Sequence, residues 1–140
     1  RKLGVPGEEQ SKVVYRLIDP EQYRKQHVLV VGGGDSALEA ALACADEPGT
    51  SVALSYRSEA FARVKEKNRK RLEEMQKAGR VQVLLKSNVK QIEIGKVILD
   101  QDGKRIELRN DVVIVSAGGL LPTPFLKEIG ILVETKYGSA

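Results

Sequence analysis

The 140-residue chain is poor in several residue types, and each scarcity excludes something. It has no tryptophan, two phenylalanines and four tyrosines, too few aromatics for the stacking platform of a single-strand nucleic-acid binder. No nucleic-acid recognition motif stands in for them, so no nucleic-acid partner is expected. A single cysteine, Cys44, rules out an internal disulfide and suits a reducing compartment, so a cytoplasmic location is expected. A single histidine, His27, leaves no cluster of histidine, cysteine and carboxylates for a metal, and its place ahead of an apolar run makes it a strand-edge residue. No apolar run approaches the ~18 residues that span a bilayer, so no membrane partner is expected. The opening "RKLGVPGEE" has no apolar core of a signal peptide, and it lacks Met, the mark of a fragment or a trimmed chain. Charge of one sign is also scarce. The net +4 fits a phosphorylated small molecule better than a polyanion.

What is present is an ordinary globular composition, 41% apolar and 30% charged, in a length that suits one domain with a real core. Residues 1–26 are polar and carry Gly4, Pro6, Gly7 and Pro20, which predicts an irregular lead-in. "HVLVV" (27–31) is short, β-branched and continuously apolar, the pattern of a strand buried on both faces. A helix is predicted over 35–47, capped by Asp35 or Ser36 and stopped by Pro48-Gly49. "SVALSY" (51–56) predicts a second strand. Phe61, Val64, Leu72 and Met75 recur at helical spacing and predict a helix from Ala60 to about Gly79. "VQVLL" (81–85) predicts a third strand. This β-α-β-α-β order predicts an α/β fold with a parallel sheet and right-handed crossovers. The rhythm then changes. "QIEI" (91–94), "KVIL" (96–99) and "RIEL" (105–108) alternate, with Asp102-Gly103 as a hairpin turn, and predict a small antiparallel meander. "VVIV" (112–115) is again a parallel-type strand, "SAGGLLP" ends it, and "PFLKEIG" predicts a short final helix.

Three consecutive glycines separate the first strand from the first helix. Gly32, Gly34 and Ala37 fit G-x-G-x-x-G/A: a tight turn, a close approach of backbone to a pyrophosphate, and close packing of helix on strand. The free N–H groups at the start of the helix, together with its dipole, then form a site for a diphosphate. A purely structural tight turn is the plain alternative. "GDSAL" also begins like a nucleophile elbow, but Leu38 stands where its second glycine belongs, and the only histidine precedes Ser36 in chain order. A serine hydrolase is excluded on that ground, and no residue is assigned a catalytic or metal-binding role.

The end of the second strand addresses the choice of dinucleotide. An NAD site usually offers a carboxylate there, whereas a basic residue receives the 2′-phosphate of NADP. Here the sequence runs Tyr56-Arg57-Ser58, with Arg63 further on and Glu59 placed to compete for it. A guanidinium binds phosphate through two parallel hydrogen bonds, so NADPH is the expected cofactor. The bland alternative is that these arginines only solvate a surface, as the other cations of 65–80 are expected to do. The Tyr56 ring either stacks near the adenine or covers the end of the sheet.

Taken together, "LGVPGEE" (3–9), "VLVVGGGDSALEAAL" (28–42), "YRSEAFAR" (56–63) and "DVVIVSAGGLLP" (111–122) resemble the NADPH domain of thioredoxin-reductase-like, FAD-dependent pyridine nucleotide-disulfide oxidoreductases. The resemblance covers nearly the whole chain. It implies a Rossmann-like parallel sheet with helices on one side and the β-meander on the other. It implies that Gly32 to Ser36 lie on the pyrophosphate, that Arg57 and Arg63 meet the adenosine phosphate, and that Ala117, Gly118 and Gly119 face the nicotinamide side. It also implies an insertion into a flavin domain of the same chain, and it leaves room for a homodimer of the full-length protein. Two departures stand out. The interval "QSKVVYRLIDPEQYRKQ" lacks the C-x-x-C pair of thioredoxin reductases, which brings the chain closer to bacillithiol-disulfide-reductase-like and ferredoxin–NADP-reductase-like members. There is one glycine fingerprint and no FAD fingerprint, so FAD belongs to the full-length protein and not to this part of it. The expected organisation is a lead-in from the flavin domain over 1–26, an NAD(P)H-binding domain over 27–123 and an exit segment over 124–140. The rival from another class is a regulatory dinucleotide sensor without chemistry.

Overall fold

The computed structural model describes residues 3–15, 19–58 and 64–116. In chain order the elements are strand β1 (Val13–Val14), a 3₁₀ turn (Pro20–Tyr23), β2 (His27–Val31), helix α1 (Asp35–Ala45), β3 (Ser51–Ser55), α2 (Glu66–Lys77), β4 (Val81–Leu84), β5 (Ser87–Glu93), β6 (Lys96–Gln101), β7 (Lys104–Arg109) and β8 (Val112–Val115). Five strands form a parallel sheet in the order β1-β8-β2-β3-β4, and β5-β6-β7 form an antiparallel sheet. The fold is the expected α/β one.

The strand side chains alternate between two cores, because successive residues of a strand face opposite ways. Val28 and Val30 of β2, Val52 and Leu54 of β3, and Val112 and Ile114 of β8 pack with Leu38, Ala41 and Cys44 of α1 and Leu72 of α2. Their neighbours Leu29, Ala53, Val113 and Val115 face the other way, onto Val89, Ile92, Val97 and Leu99 of the meander. Both faces of the parallel sheet are therefore covered, helices on one side and meander on the other. That is why its strands read as unbroken apolar runs.

Four boundaries differ from the sequence expectation. The lead-in carries an edge strand: Val13 and Val14 pair with Val113 and Ile114. It is also tied to the meander, where Ile92 N–H donates to Pro6 C=O (2.8 Å) and Gln10 Nε2 donates to Ile92 C=O (2.9 Å). Two residues are too few to show a period. Helix α1 ends at Ala45 rather than at 47. Helix α2 begins at Glu66, with Lys65 extended (ψ 140°), so Val64 and Lys65 are not helical; the expected stretch 60–63 lies outside the described residues. The first meander strand starts earlier than 91 and stops at Glu93. A bulge between Val89 and Gln91 breaks its alternation, which hid 87–90 from the pattern. Ile94 is instead at the turn, 91% exposed, ahead of Gly95 (φ +82°). The Asp102-Gly103 hairpin is as expected, with φ of +52° and +87° at its two central residues, as a primed turn requires. The expected final helix lies outside the described residues.

Leu99 and Ile94 offer a contrast within the same sheet. Leu99→Ala, fully buried against the parallel sheet, should cost about 2–5 kcal/mol in a denaturant titration, while Ile94→Ala should stay within about 0.5 kcal/mol.

Candidate functional site at the carboxyl edge of the parallel sheet

Strand β2 ends at Val31, and Gly32 turns the chain with φ +142°, a conformation that L-side chains rarely adopt. Its N–H donates to Ser55 C=O (2.9 Å), which sets the turn against the end of β3. A β-carbon at position 32 would lie 3.0 Å from the Ser116 carbonyl and 3.1 Å from the Ala37 methyl. Gly32 and Ala37 are thus the two small residues at one crowded approach of strand to helix, as the G-x-G-x-x-A spacing predicts.

Gly33 has a reason that its place in the pattern does not give. A β-carbon there would come 2.5 Å from the Tyr56 ring, so the ring lies over the turn. The Tyr56 ring packs on the glycine turn at the end of the sheet. Gly34 differs from both neighbours. Nothing stands within 4 Å of where its β-carbon would be, and its φ of −94° suits any residue. The backbone at Gly34 therefore faces open space.

Gly34 is also the N-cap of α1, and no side chain caps the helix. The expectation that Asp35 or Ser36 would cap it is corrected. Asp35 is the first helical residue, and its carboxylate is held elsewhere: Lys65 N–H and Asn68 Nδ2 both donate to Asp35 Oδ1, each at 2.9 Å. Asn68 Nδ2 also donates to Glu39 Oε2 (3.1 Å). The Lys65 amide and then the Asn68 amide hold the Asp35 carboxyl below its ordinary range. Protonation breaks these bonds, so their contribution to stability is complete above the ordinary carboxylate value and is lost as pH falls through the lowered one. The leading amides of α1 have no partner inside the helix by construction, and with no side-chain cap they are left to a ligand or to solvent.

Beyond β3, Tyr56, Arg57 and Ser58 are held by two backbone bonds from the neighbouring connection: Ser87 N–H to Tyr56 C=O and Lys86 N–H to Ser58 C=O, both 3.0 Å. Arg57 is exposed. Chain order alone therefore brings the glycine turn and the Tyr56-Arg57-Ser58 segment to one edge, since both follow parallel strands. Arg63, Ala117, Gly118 and Gly119 lie outside the described residues. Some residues were not singled out from the sequence. Asn68 is polar in a helix whose charges all read as a solvated face, yet it is buried. Arg80, expected to be one of those solvated cations, instead donates to the carbonyls of Ala45 and Glu47 at the end of α1, where a cation meets the negative end of the helix dipole.

At the opposite, amino edge of the sheet, a cavity of about 140 Å³ is lined by His27, Ser51, Gln82, Arg109 and Asn110 among others. Asn110 Oδ1 is buried there without a hydrogen-bond partner. Ligands of open α/β sheets bind outside the carboxyl ends of the strands, so the cavity is at the wrong edge for the dinucleotide. Among the described residues no group of three or more His, Cys, Asp or Glu is placed to hold a metal, and no helix is long and apolar enough to cross a membrane. Cys44 is buried on α1, and burial pushes its thiol up to about 11.

A parallel sheet with a glycine-rich turn into an uncapped helix and a meander on its far face defines a Rossmann-like α/β domain of the thioredoxin-reductase type. The chain belongs to the pyridine nucleotide-disulphide oxidoreductase family, whose model matches residues 1–139. A ferredoxin–NADP reductase of Ignicoccus hospitalis is 32% identical over 97% of this chain and 45% of its own length. One from Lactobacillus acidophilus is 34% identical over 94% and 43%. Among solved structures, the bacillithiol disulfide reductase Bdr (YpdA) of Bacillus cereus superposes with a TM-score of 0.80 at 27% identity, over 84% of this chain and 36% of that one. The thioredoxin reductase of Lactococcus lactis gives 0.73 at 27%, over 84% and 41%. The chain thus spans less than half the length of these relatives, all of them reductases.

Two glycine substitutions should separate structure from site. Gly32→Ala should destabilise the fold by roughly 1–3 kcal/mol, since φ is positive and the turn is crowded, while Gly34→Ala should leave thermal stability nearly unchanged. In the native protein Cys44 should not react with a thiol reagent at neutral pH; rapid modification without denaturant would contradict its burial.

Proposed function

We propose that this chain is the NADPH-binding domain of a flavin-dependent oxidoreductase, positioning the dinucleotide for hydride transfer to FAD in the full-length protein. The observation that carries this reading is Gly34: open space over its backbone, at an uncapped helix start, on the carboxyl edge of a parallel sheet. The diphosphate lies against Gly32–Ser36, where amide N–H groups and the helix dipole offset its charge. Arg57 and Ser58 receive the adenosine 2′-phosphate, and no carboxylate stands at 56–58 to repel it. Arg63 joins them, and Ala117-Gly118-Gly119 close on the nicotinamide side. The bound NADPH supplies the hydride and the flavin takes it up; this chain's residues supply placement and charge. The flavin domain of the same parent chain is the partner, in the cytoplasm, where a lone buried thiol stays reduced. The absence of a C-x-x-C pair in the chain favours an electron acceptor other than one reached through a disulfide in this domain.

Calorimetric titration tests the reading. The wild-type chain should bind NADPH more tightly than NADH at low salt, and rising salt should narrow the gap because an exposed phosphate contact is screened. A hydrogen bond to a charged group contributes roughly 1.5–3 kcal/mol, so Arg57→Ala should weaken NADPH about ten- to hundredfold and leave NADH nearly unchanged. Gly34→Val, folded as Gly34→Ala should be, is expected to abolish binding of both by filling the space the diphosphate needs. The chain by itself should purify colourless and should not oxidise NADPH with dyes or disulfides. Equal affinity for NADH and NADPH in the wild type would leave Arg57 as a surface residue.

A further inference from the structure

Of the three glycines in the turn, Gly33 is the one that answers to a side chain alone. Gly32 has a positive φ, and Gly34 has open space above it. Gly33 has neither, so its backbone would accept any residue if the neighbouring space did. What forbids a side chain is Tyr56. A β-carbon at position 33 would stand 2.5 Å from Cε1, Cε2 and Cζ of that ring alike, well inside van der Waals contact. Equal distances to three ring atoms mean that the ring lies flat over the position and not edge-on. The sheet sets where this ring starts from. Tyr56 N–H donates to Leu84 C=O, and Tyr56 C=O accepts from Ser87 N–H, both at 3.0 Å. The side chain thus leaves a fixed backbone after β3 and reaches the turn after β2. Tyr56 is half-buried, and one of its faces is against the turn.

We propose that the Tyr56 ring, seated on Gly33, is a stacking platform for the adenosine end of the dinucleotide and serves NADPH and NADH equally. The proposal rests on the dinucleotide reading above. It assigns shared affinity to Tyr56, where Arg57 serves selection. A ligand whose diphosphate lies against Gly34 and whose 2′-phosphate meets Arg57 carries its adenosine between the two. Tyr56 stands in that interval: its ring touches the turn beside Gly34, and its backbone leads directly into Arg57. An aromatic face suits the task, because a base stacks on it without any demand on charge or hydrogen bonding. Seated on bare backbone, the ring lies low and leaves the space over Gly34 open. The platform is also in place before the ligand arrives, so little ordering is left to the binding step.

Calorimetry with NADPH, NADH and ADP-ribose reads the role. ADP-ribose keeps the adenosine and the diphosphate but has neither the nicotinamide nor the 2′-phosphate. Tyr56→Ala should weaken all three by a similar factor, about five- to hundredfold, whereas Arg57→Ala should weaken NADPH alone. Tyr56→Phe keeps the ring and should stay within about twofold of the wild type. The pairing with Gly33 gives a second readout. Gly33→Ala should weaken the same three ligands, because the added methyl lifts the ring. In a Tyr56→Ala background that substitution should change affinity by less than about twofold, since no ring is left to displace. Should Tyr56→Ala not fold, Tyr56→Trp keeps an aromatic face in place. The chain has no tryptophan of its own, so emission from the introduced indole is read without background, and bound ADP-ribose should change it. A ring that only covers the end of the sheet predicts a lowered melting temperature in Tyr56→Ala with all three affinities unchanged. That result, a loss confined to NADPH, or an indole indifferent to bound ADP-ribose would overturn the platform. A wild type that binds none of the three would instead overturn the dinucleotide reading, and the platform with it.

Discussion

The structure depends on the double burial of β2. Its two edges are hydrogen-bonded, to β8 on one side and β3 on the other, and its two faces are covered by different layers. A strand in that position has no face on which a polar residue is tolerated, and a one-residue slip would exchange the side chains that meet α1 with those that meet the meander. Val28 and Val30 are held to one core and Leu29 to the other, so the point at which the chain leaves the sheet is fixed. That point is Val31. The glycine turn follows immediately, and its position against Ser55 and Ser116 is inherited from the register of the three central strands.

From that register the site assembles with little further specification. Parallel strands all point their carboxyl ends to one edge, so the segments after β2, β3 and β8 converge there whatever their sequence. What the sequence adds is chemistry at each exit: small residues after β2, a tyrosine, an arginine and a serine after β3, and another glycine pair after β8. The three consecutive glycines answer to three different neighbours. Gly32 answers to Ser116 and Ala37, Gly33 to the ring of Tyr56, and Gly34 to open space. The last is the position where room, rather than a protein contact, accounts for a missing side chain.

Much of this was legible beforehand, and the failures share a cause. The continuous apolar runs of β2 and β8, the Asp102-Gly103 turn and the G-x-G-x-x-A spacing are local signals, set by the pattern of apolar residues and by the dihedral limits of glycine. Each was in the place expected. The start of α2 was misplaced because its cap lies on another helix, and a reading along the chain looks for caps within a few residues. The beginning of β5 was missed because a bulge interrupts its alternation. The edge strand Val13–Val14 was missed because a two-residue strand exists only through its pairing with β8.

The sequence by itself determined the order of elements from β2 to β8, the two-faced burial of the parallel strands, and the glycine turn after β2. These follow from residue-by-residue preferences that no distant partner changes. Only the tertiary structure decided which side chains meet: Tyr56 over Gly33, Arg80 on the carbonyls ending α1, Asp35 turned from its own helix to Lys65 and Asn68. Those contacts join residues 23 to 35 positions apart, and such pairs become neighbours only when both cores are packed and the strands between them are in register.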